Sequence, residues 1–286
     1  MISKKELYQK IEICPWCNGD KYIELYAQTE GNMVRKCANC GLVYASKILN
    51  EDGRKEYWGK YESEIHQKTQ KLTECREKMY KMEYDFISPF LHKKNRILDV
   101  GCGGGEFLDF FKSSYNECEG IEFGEEAYKK ASQKYKVYLG ELPKCHIEGK
   151  FDLIIFRGTI QYFIKPKLYF DRAVELLNSG GLIYITSSPN SDSLCFNLFK
   201  ERFTQPVSST DYCMYNERIL TQYFQDKGME KVVRHDFYLG TPYEDYENDI
   251  QKVVKGLELR KQKKDIRFDA PSFFDNMLTL LYRKNE

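Results

Sequence analysis

A chain of 286 residues is long enough for one generous core, or for one domain plus a small accessory module. Its 44 Lys and Arg against 43 Asp and Glu leave a formal charge of +1, which provides no global electrostatic footprint for gripping nucleic acid or another polyanion. The opening MISKKELYQKIE holds no apolar stretch of signal-peptide length, and no apolar run approaches the roughly 20 residues of a membrane span, so the expectation is a cytoplasmic protein without a membrane span.

From the N-terminus, "CPWCNGD" and "CANCGLVY" place Cys14, Cys17, Cys37 and Cys40 as two CxxC pairs separated by 19 residues. Four thiolates at that spacing suit a tetrahedral zinc ion, and cysteines in a chain without a secretory leader point to metal rather than disulfides. All four ligands come from protein, so the zinc is expected to be structural. A glycine follows each pair, Gly19 after Asn18 and Gly41 directly; a positive φ there turns backbone N–H groups toward sulfur. Two β-prone runs flank TEGN between the pairs, which gives a zinc-ribbon hairpin. Cys75, Cys118, Cys145, Cys195 and Cys213 have no partner constellation and read as packing residues.

Residues 51–92 form a Tyr-rich, helical cap, with apolar residues at helical spacing from about Thr69 to Leu91. Beyond it, the short apolar runs RILDVG, ECEGIEF, FDLIIF and GLIYITS alternate with helical stretches such as EEAYKKASQKY and PKLYFDRAVELLN. That alternation is the signature of βαβ units, and the fold expected is a Rossmann-like, doubly wound α/β sheet of seven strands. MEKVVRHDFYLG and NMLTLLYRK read as a closing antiparallel edge pair. The organisation is thus a ribbon over 1–50, a cap over 51–92 and a catalytic domain over 93–286, interrupted by a charged insertion at about 241–270 that reads as a solvated helix.

The first strand runs into GCGGGEF. A dinucleotide loop needs GxGxxG, and here Glu106 occupies the third glycine's place; a GxxxxGK[ST] phosphate loop would need a lysine that is absent. Asp99, two residues before Gly101, is a poor neighbour for pyrophosphate but suits a cofactor carrying an ammonium and a sulfonium. About 20 residues on, Glu122 stands where a carboxylate accepts hydrogen bonds from ribose hydroxyls.

Through LDVGCGGGEFL, GIEFGEEAYKKA, FDLIIFRGTIQYF and LNSGGLIYITSSPN, in that order, the chain resembles class I S-adenosylmethionine-dependent methyltransferases over most of residues 95–240. The resemblance implies that Gly101, Cys102, Gly103 and Gly105 let backbone approach the methionine and ribose of S-adenosylmethionine. It further implies that Glu122 binds the ribose with Phe123 beside the adenine, that Glu141 meets the adenine amino group next to Leu142, and that Arg157 and Gly158 line the methyl-donor side. The N-terminal CANCGLVYASKILNEDGRKEYWGKYESE, with Tyr57, Tyr61 and Ser63, resembles sugar methyltransferases of deoxysugar and surface-glycan pathways (capsule or lipopolysaccharide), in which such a module would wall the acceptor site. A small-molecule or glycan acceptor follows, with an RNA or tRNA methyltransferase and a non-catalytic cofactor-binding protein as the competing readings; the methylated atom and the oligomeric state stay open.

Many relatives carry Glu-His after the fourth strand, where this chain has Gln161 and Tyr162. Gln161 cannot be a base, and a tyrosine of ordinary pKa near 10 needs help to act as one. The remaining acceptor-side candidates are His66 in the Tyr-rich segment, Asp211 in SSTDYCMY, and His235; Phe273 and Asn276 either face the pocket or close the last hairpin. Lys261, Lys263 and Lys264 could steer an anionic acceptor.

Overall fold

The computed structural model describes residues 6–28, 31–60, 70–92, 94–112 and 116–286; His66, Tyr61 and Ser63 lie outside them. In the N-terminal part the strands are β1 (Tyr8–Lys10), β2 (Tyr22–Ala27), β3 (Met33–Cys37), β4 (Val43–Ala45) and β5 (Lys47–Leu49), followed by helices α1 (Glu51–Gly59) and α2 (Gln70–Ile87). The larger part continues with β6 (Arg96–Val100), α3 (Leu108–Phe111), β7 (Glu117–Glu122), α4 (Glu125–Ala131), β8 (Lys136–Leu139), β9 (Phe151–Arg157), α5 (Pro166–Leu176), β10 (Leu177–Pro189) and α6 (Leu194–Phe199). It closes with β11 (Cys213–Met214), α7 (Glu217–Asp226), β12 (Met229–His235), α8 (Tyr246–Lys261) and β13 (Met277–Lys284).

Seven strands form the expected sheet, in the order β12-β13-β10-β9-β6-β7-β8. Strands β10, β9, β6, β7 and β8 are mutually parallel. β13 runs antiparallel to both β10 and β12, so the closing pair exists but only β12 is at the edge. Strands covered on both faces need apolar residues at successive positions: Ile97, Leu153 and Ile155 face the layer containing α2 and α3, whereas Leu98, Ile154 and Phe156 face Phe170 of α5 and Phe224 of α7. The charged insertion holds α8, a helix with one packed side: Gly256 lies so close to Leu198 and Phe199 of α6 that a Cβ there would stand 3.0 Å from Leu198 Cδ2.

The ribbon is not a separate body. Its sheet, β11-β4-β3-β2, takes β11 from the large domain, and Trp16 between the first two cysteines packs edge-on against Phe170, Tyr215 and Tyr223 at 5.2–6.1 Å. Residues of the ribbon and of one sheet face therefore share a single buried cluster. The division at residue 50 expected from composition is no break in packing, because an indole this large is most stable buried against another aromatic surface.

Candidate active site

A cavity of about 250 Å³ opens at the carboxyl ends of β6, β7, β8 and β9, the place where an open α/β sheet offers loop backbone and helix N-termini to a ligand. The glycine loop forms its floor. Gly101 has φ +80° and no room for a side chain, since a Cβ would stand 2.4 Å from Thr159 Cγ2. Gly103, with φ +57°, points its N–H at Glu122 Oε2, 2.8 Å away. Cys102 lines the cavity with a buried thiol, and Gly120 beneath it could carry no side chain because a Cβ would meet that sulfur at 2.5 Å. Gly105 departs from expectation. It sits under Tyr135, whose ring would be 3.0 Å from a Cβ, and Gly104 takes its place in the lining.

Four carboxylates line this cavity, Asp99, Glu106, Glu122 and Glu141, and Glu106 is paired with Lys130. Asp99 is 2% exposed, and its Oδ1 has no hydrogen-bond partner among the described residues. Burial pushes its carboxyl up to about 7; Arg157 opposes the rise, and Glu122 and Glu83 add to it. Glu122, at the end of β7, accepts N–H bonds from Gly103, Phe123 and Gly124 at 2.7–2.8 Å. Glu141 lines the cavity beside Leu142, but its oxygens are engaged: Arg54 Nη2 donates at 2.6 Å, Lys144 Nζ lies at 2.7 Å, and the Tyr169 hydroxyl donates as well. Although burial raises this carboxyl, the Lys144, Tyr169 and Arg54 donors hold it down at about 2. Three of this carboxylate's roughly four acceptor positions are thus taken, two on Oε1 and one on Oε2, as three are on Glu122.

Arg157 and Gly158 line the opposite wall. The Arg157 guanidinium lies over Tyr80 and Phe107, 4.4 and 5.6 Å from their centroids, and its Nε donates to Glu83 Oε2 at 2.6 Å. Glu83 is fully buried and also accepts from Thr186 Oγ1 at 3.0 Å and Ser187 Oγ at 2.6 Å. It thereby ties α2 to the ends of β9 and β10. Sequence reasoning passed over Glu83, yet the signal was there: Met79, Tyr80, Glu83 and Ile87 share one face of α2, and a carboxylate inside an apolar stripe demands a buried cation.

On the acceptor side, Tyr162 lines the cavity and its ring meets Trp58 edge-on at 4.8 Å. Its hydroxyl hydrogen-bonds Asp211, whose carboxylate also accepts from Ser208 and Thr210 at 3.2 and 3.1 Å. Burial raises the Asp211 pKa against these three hydrogen bonds. Tyr57 is bonded to Thr210 in the same cluster, with its pKa raised by burial and by the Asp211 charge. Gln161 is turned away: it is 3% exposed, stays out of the lining, and its Nε2 donates to the Gly158 carbonyl at 2.9 Å. His235 is exposed on β12 and stacked on Phe86 at 4.8 Å, while Phe273 packs on Tyr238 and Asn276 bonds the Pro271 carbonyl. None of these last residues reaches the cavity.

The sulfurs of Cys14, Cys17, Cys37 and Cys40 all lie within 4.8 Å of one another, with Cys14–Cys40 at 3.6 Å and Cys17–Cys37 at 3.5 Å. Four thiolates about 2.3 Å from one zinc would stand roughly 3.8 Å apart, so the cluster could hold a metal ion. Backbone N–H groups of Gly19, Asn39, Cys40 and Leu42 point at the sulfurs. Gly41 has the expected positive φ of +84°, but in the first knuckle Asn18 adopts it, at +58°; Gly19 packs beneath the exposed Asn39 side chain, whose Nδ2 would have to shift to admit a Cβ. Among the described residues no helix is long and apolar enough to cross a membrane.

No curated protein matches the sequence. Among solved structures, magnesium protoporphyrin IX methyltransferase from Synechocystis PCC 6803, with bound SAH, superposes with a TM-score of 0.55 at 11% identity, covering 82% of this chain and 100% of its own. A putative methyltransferase from Bacillus halodurans C-125 gives 0.53 at 16% identity, covering 72% and 99%. At such identities the likeness establishes the fold. A family model described as a methyltransferase domain matches residues 72–234, more than half of the sequence and every strand from β6 to β12; the chain belongs to that family and is a class I, S-adenosylmethionine-dependent methyltransferase.

Proposed function

We propose that the chain methylates a hydroxyl group of a sugar, a sugar nucleotide or a related small precursor of a surface glycan. The observation that carries this reading is Tyr162 in the cavity wall, hydrogen-bonded to Asp211 behind it. A hydroxyl acceptor must give up a proton, whereas a neutral amine need not, and a carboxylate with a raised pKa is suited to receive it. Tyr162 touches the acceptor and passes its proton to Asp211. The near-zero net charge, the aromatic wall of Trp58 and Tyr162, and the resemblance of the ribbon to glycan-pathway enzymes support the sugar class.

The cavity fits S-adenosylmethionine. Asp99, buried with one oxygen unpartnered among the described residues, suits an ammonium group; Glu122 suits the ribose hydroxyls, and Phe123 and Leu142 provide apolar walls for the adenine. When bound, the cofactor supplies a methyl group on a positively charged sulfur, so the protein's work is orientation, exclusion of water and proton removal. Zinc fits the four cysteines as a structural ion, since the chain itself fills all four positions.

Radiolabelled S-adenosylmethionine added with the protein to a cell extract, followed by separation into nucleotide-sugar, polysaccharide and RNA fractions, tests the acceptor. Label in either sugar fraction supports the reading, and label in RNA overturns it. With the acceptor in hand, Asp211→Asn should lower kcat by about 10²–10⁴-fold, the usual range for loss of a general base.

A further inference from the structure

Helix α1 belongs by sequence to the N-terminal segment, and the ribbon builds it. Its N-cap, Asn50, accepts the Gly53 N–H at 2.9 Å and donates to the Glu6 carbonyl at 2.6 Å. Gly53 is pressed against the strand segment before β1, where a Cβ would lie 2.3 Å from the Leu7 carbonyl oxygen. The other side of α1 faces the catalytic domain. Arg54 bonds Glu141 in the loop after β8 and stacks 4.8 Å above Phe123 in the loop after β7. Trp58 reaches Tyr162 after β9, and its carbonyl would be 3.0 Å from a Cβ on Gly124. One short helix therefore touches the loops after β7, β8 and β9, and both Arg54 and Trp58 line the cavity.

Resting on the cofactor reading above, we propose that Arg54 is a positioning residue for the adenosine half of S-adenosylmethionine, making the N-terminal module the adenine-side wall of the cofactor site. Arg54 is 9% exposed and lines the cavity, and its buried Nε–H has no hydrogen-bond partner among the described residues. The guanidinium does two things at once: it covers the face of Phe123 and neutralises the buried Glu141 carboxylate, both in the cavity lining. Lysine reproduces the charge but neither the planar stack nor the fork.

The test is calorimetric titration of SAH and of adenosine into the wild-type chain and its variants. Arg54→Met, which keeps the apolar stem, should weaken both ligands by the same roughly ten- to hundredfold factor, the range for a lost charge-assisted hydrogen bond. Arg54→Lys should recover part of the loss. Asp99→Asn should weaken SAH and leave adenosine unchanged, since it faces only the amino-acid half. Unchanged SAH affinity in Arg54→Met overturns the proposal, as does a loss for SAH without one for adenosine. If Arg54→Met fails to fold, Phe123→Leu gives the same adenosine readout from the other side of the stack, and equal affinities there also overturn it. Failure of the wild-type chain to bind SAH at all would instead remove the underlying cofactor assignment.

Discussion

The glycine loop and the four-cysteine ribbon are equally conspicuous as motifs, but they differ in how much of their role is local. The loop works through its own backbone: Gly101 and Gly103 hold positive φ, and Glu122 is fixed by N–H groups within a few residues of it or of the loop. The ribbon works through what it docks on. Trp16 is buried among aromatic rings of the large domain, β4 pairs with β11, and Arg218 of α7 donates to the Cys40 carbonyl at 3.1 Å. A four-cysteine module with these contacts is part of the catalytic domain's core, whatever its place in the sequence.

Removing the metal should therefore produce the largest effect. A structural zinc contributes about 10–16 kcal/mol to small metal-dependent domains, and a zinc ion held by these four cysteines would couple that energy into a shared buried cluster. Chelation or Cys37→Ser should lower the melting of the whole chain in one transition, seen by scanning calorimetry. Two transitions, with the larger left in place, would restore the ribbon as an independent unit.

The α2 connection comes next. Glu83→Gln leaves the Arg157 guanidinium without its buried counter-charge, which should cost about 3–5 kcal/mol. A denaturant melt of Glu83→Gln beside Glu83→Gln/Arg157→Met checks it: the double variant should regain stability relative to the single, and additive losses would show that the pair is not coupled.

The smallest effect is a pH dependence at the loop itself. The Asp99 carboxyl is raised to about 7 in the ligand-free chain. The folded state then holds its proton more tightly than the unfolded one, so this group's contribution to stability is full below about 4 and is lost as pH rises through 7. Binding runs the other way, because an ammonium prefers the ionised carboxylate. SAH affinity should climb as pH rises through about 7, and Asp99→Asn should flatten that profile. A slope that survives the substitution would place the titrating group elsewhere.

The sheet was legible because parallel strands buried on both faces leave apolar runs, and those runs form its strands; Asp99, Gly101 and Gly103 line the cavity at their carboxyl ends. Positions set by tertiary approach were not legible. Gln161 and Tyr162 are adjacent, yet a 3-10 turn sends one inward to the Gly158 carbonyl and the other to the cavity. Arg54 lies in EDGRKEYWG, a stretch with nothing to distinguish it from a solvated helix, and only docking brings it within 2.6 Å of Glu141, 87 residues away. The sequence resemblance suggested that the N-terminal module would cover the acceptor; its helix in fact reaches both halves of the cavity, through Arg54 at Phe123 and Trp58 at Tyr162.

Titrating SAH into the chain before and after chelation, with bound metal counted in parallel, asks whether the four-cysteine module and the catalytic domain build one cofactor site. One SAH per chain is expected in the zinc-loaded protein, with a markedly weaker affinity once the metal is gone. Metal-free protein that binds SAH as tightly as the loaded form would contradict it.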